Sequence, residues 1–144
     1  MFIGLDLPQA ISLLYRKMNT ELNERLGKIG LSKAKSRLLR YLYKHGQMAQ
    51  IDLSRELDLD KSTVAKVLAR LEDQGLVSKM VNPEDTRSFL VSLTPKSEDI
   101  IPKSEEVIKG WCDDLTSVLT EGESQLFYEL LYKVSQSATE ITSK

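Results

Sequence analysis

Lys61-Ser62-Thr63-Val64-Ala65-Lys66 runs on to Arg70-Leu71 without a carboxylate, although the residues on either side are rich in acid. Lysine, arginine and hydroxyl side chains donate hydrogen bonds, and gathered without acids they suit anionic or electron-rich acceptors such as phosphate oxygens and base edges. The start of a helix strengthens that preference, because its backbone N–H groups are unpaired and its dipole favours negative charge. If Asp60 caps a helix here, Lys61 faces phosphate, and Ser62 and Thr63 offer bonds to backbone or base edges. Lys66 and Arg70 follow at i, i+4 spacing on one polar face. Lys66 is the candidate for base readout, since lysine can donate to guanine O6 and N7. Further on, Pro83-Glu84-Asp85-Thr86-Arg87 supplies a stiff turn and a long cation able to enter a narrow A·T-rich minor groove. Asp85 alone would repel phosphate, so its expected task is to hold Arg87 or Arg70 by a charge-assisted bond. Lys33, Lys35 and Arg55 are further phosphate candidates, although a plain solvated face accounts for Lys33 and Lys35 equally well.

These side chains need a frame. Asp6 and Gln9 have capping-box spacing around Pro8, and Leu7, Ile11, Leu14, Met18, Leu22 and Leu26 form the stripe of a first amphipathic helix. Ser32 caps a second, with Ala34, Leu38, Leu39 and Leu42 as its apolar face and Gly46 at its end. Met48 to Leu57 reads as a short third helix, and Asp60 to Gly75 as a fourth, with Val64, Val67, Leu68 and Leu71 inward. Residues 77–81 and 88–93 flank a polar turn and predict a hairpin. Thr94-Pro95 predicts the start of a fifth helix, in which Pro102 forces a kink or delays the regular part. Thr120 and Glu123 form a capping box for a sixth, running through Leu126, Phe127, Leu130, Leu131, Val134 and Ile141. The short third helix, the fourth and the hairpin make a duplex-reading unit. The terminal helices carry stripes with little other core to bury them, so they are expected to pack on each other and on a second copy. A two-fold protein would read palindromic half-sites about 34–36 Å apart.

The composition, 41% apolar and 28% charged over 144 residues, is that of an ordinary globular chain. No apolar run reaches the roughly 18 residues of a membrane span, and Met1 to Asp6 lacks the pattern of a leader peptide. One cysteine, Cys112, excludes an intrachain disulfide and fits a cytoplasmic setting. Charge is uneven: residues 1–46 sum to +6, 47–93 to −2 and 94–144 to −5. The acidic last third is thus the part least suited to phosphate. With one His and one Cys there is no metal cluster or nucleophile–base pair, and no phosphate-cradling glycine loop, so neither an enzyme, a metal nor a cofactor is expected.

In order and spacing, several groups of residues resemble the MarR (multiple-antibiotic-resistance regulator) family of transcription factors. Leu31-Ser32 with Leu38-Leu39 and Leu42 looks like the family's second helix. Gln50, Leu53, Leu57, Asp60, Ser62-Thr63-Val64, Arg70-Leu71-Glu72 and Gly75-Leu76-Val77 look like its helix-turn-helix. Pro83, Asp85 and Arg87 match its wing, and Leu93-Thr94 the junction that follows. The resemblance implies a mainly α chain with a small β-hairpin wing, one compact domain overall. Residues 1–30 would be an N-terminal dimerisation helix, 31–94 a winged helix-turn-helix DNA-binding region, and 95–144 C-terminal dimerisation helices. It also implies a homodimer on a palindromic operator in double-stranded DNA, usually a repressor released by a small ligand or by oxidation. Family members often hold small aromatic inducers between the dimer helices and the DNA-binding lobe, where Tyr15, Met18, Tyr41, His45 and Met48 would line the pocket. Lys35, Lys79, Ser97 and Ala65-Lys66 depart from the family's usual Gln, Arg, Gly and Thr-Arg; the last change is expected to alter base preference. Cys112 is followed by Asp113 and Asp114, which disfavour a thiolate, so a bystander thiol is expected. The alternative function is a winged-helix module that binds a protein partner without specific DNA binding, an idea kept open by the −2 charge of residues 47–93.

Overall fold

The computed structural model describes residue 4 and residues 6–142. The expectation that the chain opens without a leader rests largely on residues 1–3 and 5, which lie outside the described ones. The elements are α1 (Leu7–Gly27), α2 (Lys33–His45), β1 (Met48–Ala49), α3 (Gln50–Glu56), α4 (Lys61–Asp73), β2 (Val77–Asn82), β3 (Asp85–Leu93), α5 (Ser97–Thr116) and α6 (Glu121–Thr142). Two compact units are present, Met1–Ile108 and Lys109–Lys144.

In the first unit the helix starts are written locally. The Asp6 carboxylate accepts from the Gln9 amide at 2.9 Å, and the Ser32 hydroxyl from the Lys35 amide at 3.2 Å, so the Ser32 cap persists without a glutamine at position 35. The core is built from Leu26, Leu38, Leu39, Leu42, Leu53, Val64, Leu68, Leu71 and Val91, all closed to solvent. Each such leucine contributes about 1.5–3 kcal/mol of burial, whereas an exposed ion pair contributes about 0–1. Apolar packing therefore sets where α4 sits. The turn between α3 and α4 passes through Asp58 at φ 52°, left-handed backbone that Asp visits more readily than most residues.

Four local expectations are corrected. Met48 and Ala49 form a strand, not the start of a helix, because Val91 and Leu90 offer them an antiparallel edge; the three-stranded sheet has the order β1-β3-β2. Ala34 is exposed, and the buried place on α2 goes to Ser36, whose hydroxyl is hydrogen-bonded to that of Ser104 on α5. Strand β3 begins at Asp85, so Asp85 and Arg87 lie on the strand beyond the turn. Thr94 does not cap α5 with its side chain: its hydroxyl donates to the Gly75 carbonyl at 2.6 Å, and regular helix starts at Ser97. That helix then runs through Pro102 without a break.

The second unit holds the end of α5 and all of α6. Its capping box is complete: the Thr120 amide donates to Glu123 at 2.9 Å and the Glu123 amide to the Thr120 hydroxyl at 3.2 Å. None of its described residues is buried in the single chain, and Leu126, Leu130, Leu131 and Val134 are each about half exposed. On α1, in the first unit, Leu7, Ile11 and Leu14 are likewise open. Among the described residues no helix is long and apolar enough to cross a membrane.

Candidate nucleic-acid interface

Asp60 organises the start of α4. One of its carboxylate oxygens accepts from the Thr63 amide at 2.7 Å and from the Ser62 hydroxyl at 2.8 Å. These bonds, the backbone one first, hold the Asp60 carboxyl below its ordinary value of 3.8. A lowered folded pKa means that the cap supports folding fully above the unfolded value, and loses that support as pH falls through the folded one. Asp60→Asn keeps a capping oxygen but cannot titrate. Its melting temperature is expected to fall less than that of the wild type below pH 4, the ordinary value being 3.8. Parallel acid melts check this, and identical pH profiles for the two proteins would contradict it. The Ser62 proton is engaged by the cap, which leaves the hydroxyl oxygen as an acceptor toward outside donors.

Lys61, Lys66 and Arg70 are all exposed on α4, and no hydrogen bond or ion pair engages their side chains among the described residues. They remain available to an external anion. Opposite the start of α4, Arg87 donates to Asp85 through its Nε and its backbone amide, each at 3.1 Å, while its side chain stays 90% exposed. Asp85 thus orients Arg87, and not Arg70, without burying it. Lys61 and Arg87 line the same cleft of about 160 Å³, whose other walls include Gln50, Ser54, Val64 and Phe89. The cations of helix and wing, distant in sequence, meet at one opening. Gln50, Ser54 and Phe89 are not expected there, because nothing local marks them; only the packing of α3 on both α4 and β3 brings them in.

The remaining candidates divide. Lys33 is tied to α1, donating to Asn19 at 2.6 Å and lying 4.9 Å from the centre of the Tyr15 ring. Lys35 is half-buried, and its amide closes the Ser32 cap. Arg55 is exposed and paired with Asp52 at 3.2 Å. Tyr41 and His45 stack with ring centres 4.2 Å apart. Tyr41 lines an open cleft of about 680 Å³ with Arg37, Arg40, Tyr43, Lys44 and Leu57. Partial desolvation and then the Glu56 carboxylate push its phenol above the ordinary value, so it stays neutral near pH 7. Tyr15, Met18, His45 and Met48 are not part of that cleft's lining: Tyr15 sits on α1 beneath Lys33, and Met48 pairs with Val91 in the sheet. Cys112 is a half-buried thiol on α5 in the second unit.

A short helix, a turn, a second helix with its donor-bearing start uncovered and a hairpin packed beside it define the winged helix-turn-helix class. Residues 31–89 match the MarR family model. The chain is 28% identical over 112 residues to the uncharacterized HTH-type transcriptional regulator YdgJ of Bacillus subtilis (strain 168), covering 78% of this chain and 68% of that protein. It is 27% identical to the HTH-type transcriptional regulator MhqR of the same organism, covering 98% of this chain and 97% of MhqR. Its fold superposes on a mutant of MarR from E. coli complexed with operator DNA with a TM-score of 0.78, at 27% identity over 89% of this chain and 92% of that one. Residues 31–89 thus match the MarR family's domain, and the relatives and solved structures that align with most of this chain identify the same family.

Proposed function

We propose that this protein is a sequence-specific DNA-binding regulator that represses transcription by occupying an inverted-repeat operator as a homodimer in the cytoplasm. The observation that carries the reading is the shared cleft of Lys61 and Arg87 at the uncovered start of α4. With α4 in the major groove, Lys61 meets phosphate, Thr63 the backbone or a base edge, and Lys66 and Arg70 the groove floor. Arg87, held by Asp85, reaches the neighbouring minor groove. Lys35 and Arg55 add phosphate contacts at the flanks, and Lys33 does so only by leaving Asn19. Residues 31–94 carry this reading, while the helices of 1–30 and 95–144 supply the dimer contacts; the open stripes on α1 and α6 support that division. A small aromatic acid seated against Tyr41, Arg37 and Lys44 is the releasing ligand the large cleft best suits.

Titration onto the DNA upstream of the protein's own gene, against scrambled competitor at two salt concentrations, tests this reading. Specific binding with two subunits per site and a steep loss of affinity with salt is expected, as is release by millimolar 4-hydroxybenzoate that Tyr41→Ala removes. Equal affinity for operator and scrambled DNA, on this and on selected sequences, would sink the proposal. One observation favours the protein-partner alternative: Met80, Val81 and Phe89 leave apolar surface open on the wing. That module would show no sequence preference in the same titration.

A further inference from the structure

At the C-terminal end of α4, away from its donor-bearing start, lies a recess of about 420 Å³ between the α1–α2 connection, the α4–β2 connection and the start of α5. Its apolar lining is Leu76, which is buried, with Ile29 and Ile100, both half-buried. Around these stand three lysines, Lys28, Lys96 and Lys103, against a single carboxylate, Asp99. The side chains of Lys28 and Lys103 make no ion pair or hydrogen bond among the described residues, and Lys96 gives its Nζ to the Gln74 carbonyl at 2.7 Å instead of to an acid. Three cations set around an aliphatic floor, with one acid to offset them, match a ligand that is apolar at one end and anionic at the other. The recess cannot serve the duplex gripped by the start of α4, since 13 residues of helix put about 20 Å between the two ends.

We propose that this recess binds a small organic anion, a carboxylate on an aliphatic body. Its aliphatic part lies on Ile29, Leu76 and Ile100, and its carboxylate accepts from Lys96 with Lys28 and Lys103 nearby. The site also touches the anchorage of α4. The end of that helix is held by Lys96 on the Gln74 carbonyl, Thr94 on the Gly75 carbonyl at 2.6 Å, and Gln74 Nε2 on the Gly30 carbonyl at 2.8 Å. A carboxylate that draws the Lys96 ammonium off the Gln74 carbonyl removes the first of these holds. Occupancy thus loosens the far end of the helix; any effect on DNA binding rests on the function proposed above, but the binding itself does not.

Octanoate is the probe, titrated into the full-length protein by calorimetry and by methyl NMR, with octanamide as the uncharged control. Saturable binding with a Kd on the order of 1 mM is expected, as ten heavy atoms at ordinary ligand efficiency allow. The methyl signals of Ile29, Leu76 and Ile100 should shift. Octanamide and the double variant Lys28→Gln/Lys103→Gln should each bind at least about tenfold more weakly, the loss expected for charge-assisted contacts. Both lysines are exposed and unpartnered, so the variant keeps its fold, which its unchanged NMR dispersion would document. Absence of saturable binding, equal affinity for octanamide, or an unaltered Kd in the double variant would each overturn the proposal. Failure of operator binding would leave these readouts untouched.

Discussion

Replacing Leu68 by alanine is expected to lower the stability of the fold by about 2–5 kcal/mol, the range for a leucine truncated in a closed core. Leu68 is closed to solvent on α4, where the helix packs against α2, α3 and β2. Three elements converge on that helix, so no single one can collapse into the void, which favours the upper part of the range. Urea unfolding at fixed protein concentration measures the effect, because the apparent stability of the proposed dimer would depend on that concentration. The midpoint should fall with the slope unchanged. A loss under about 1 kcal/mol would mean that the site repacks, and that α4 is not held where the structure puts it.

Lys66→Ala is expected to do the opposite. Lys66 is exposed two positions away and its side chain makes no hydrogen bond or ion pair among the described residues, so stability should change by no more than about 0.5 kcal/mol. Operator affinity should fall by about 1–3 kcal/mol, and discrimination should relax at one base pair of each half-site. Arg87→Ala provides the contrast: affinity should fall across all sequences, most at A·T-rich flanks, together with a shallower salt dependence. Binding selections from randomised operators with the three proteins separate these outcomes. If Lys66→Ala weakened every sequence equally, the lysine would be a phosphate contact and base readout would have to come from Thr63 or Arg70.

Much of this architecture is legible in the chain because its signals are short-range. Asp6, Ser32, Asp60 and Thr120 each meet an amide three residues on, and that geometry needs no tertiary partner. The hairpin is similarly local, and the i, i+2 bond from Arg87 to Asp85 follows from strand geometry alone. The errors lie where the deciding partner is distant. Met48 pairs with Val91, Ser36 is buried because Ser104 answers it, and Thr94 turns to Gly75 instead of capping α5. The five residues expected around an aromatic ligand lie on α1, α2 and β1, and spacing along separate helices carries no information about which faces meet.

By itself, then, the sequence determined the order of helices and hairpin, the capped start of α4 and the acid-free row of donors along it, since backbone propensity and side-chain spacing act within a few residues. Only the tertiary structure decided that Lys61 and Arg87 share an opening, that Lys33 is spent on α1, and that three lysines surround an aliphatic recess at the other end of α4. The first and last are consequences of leucine packing at α4 and the second of the packing of α1 on α2, and the energy of such packing depends on residues far apart in the chain.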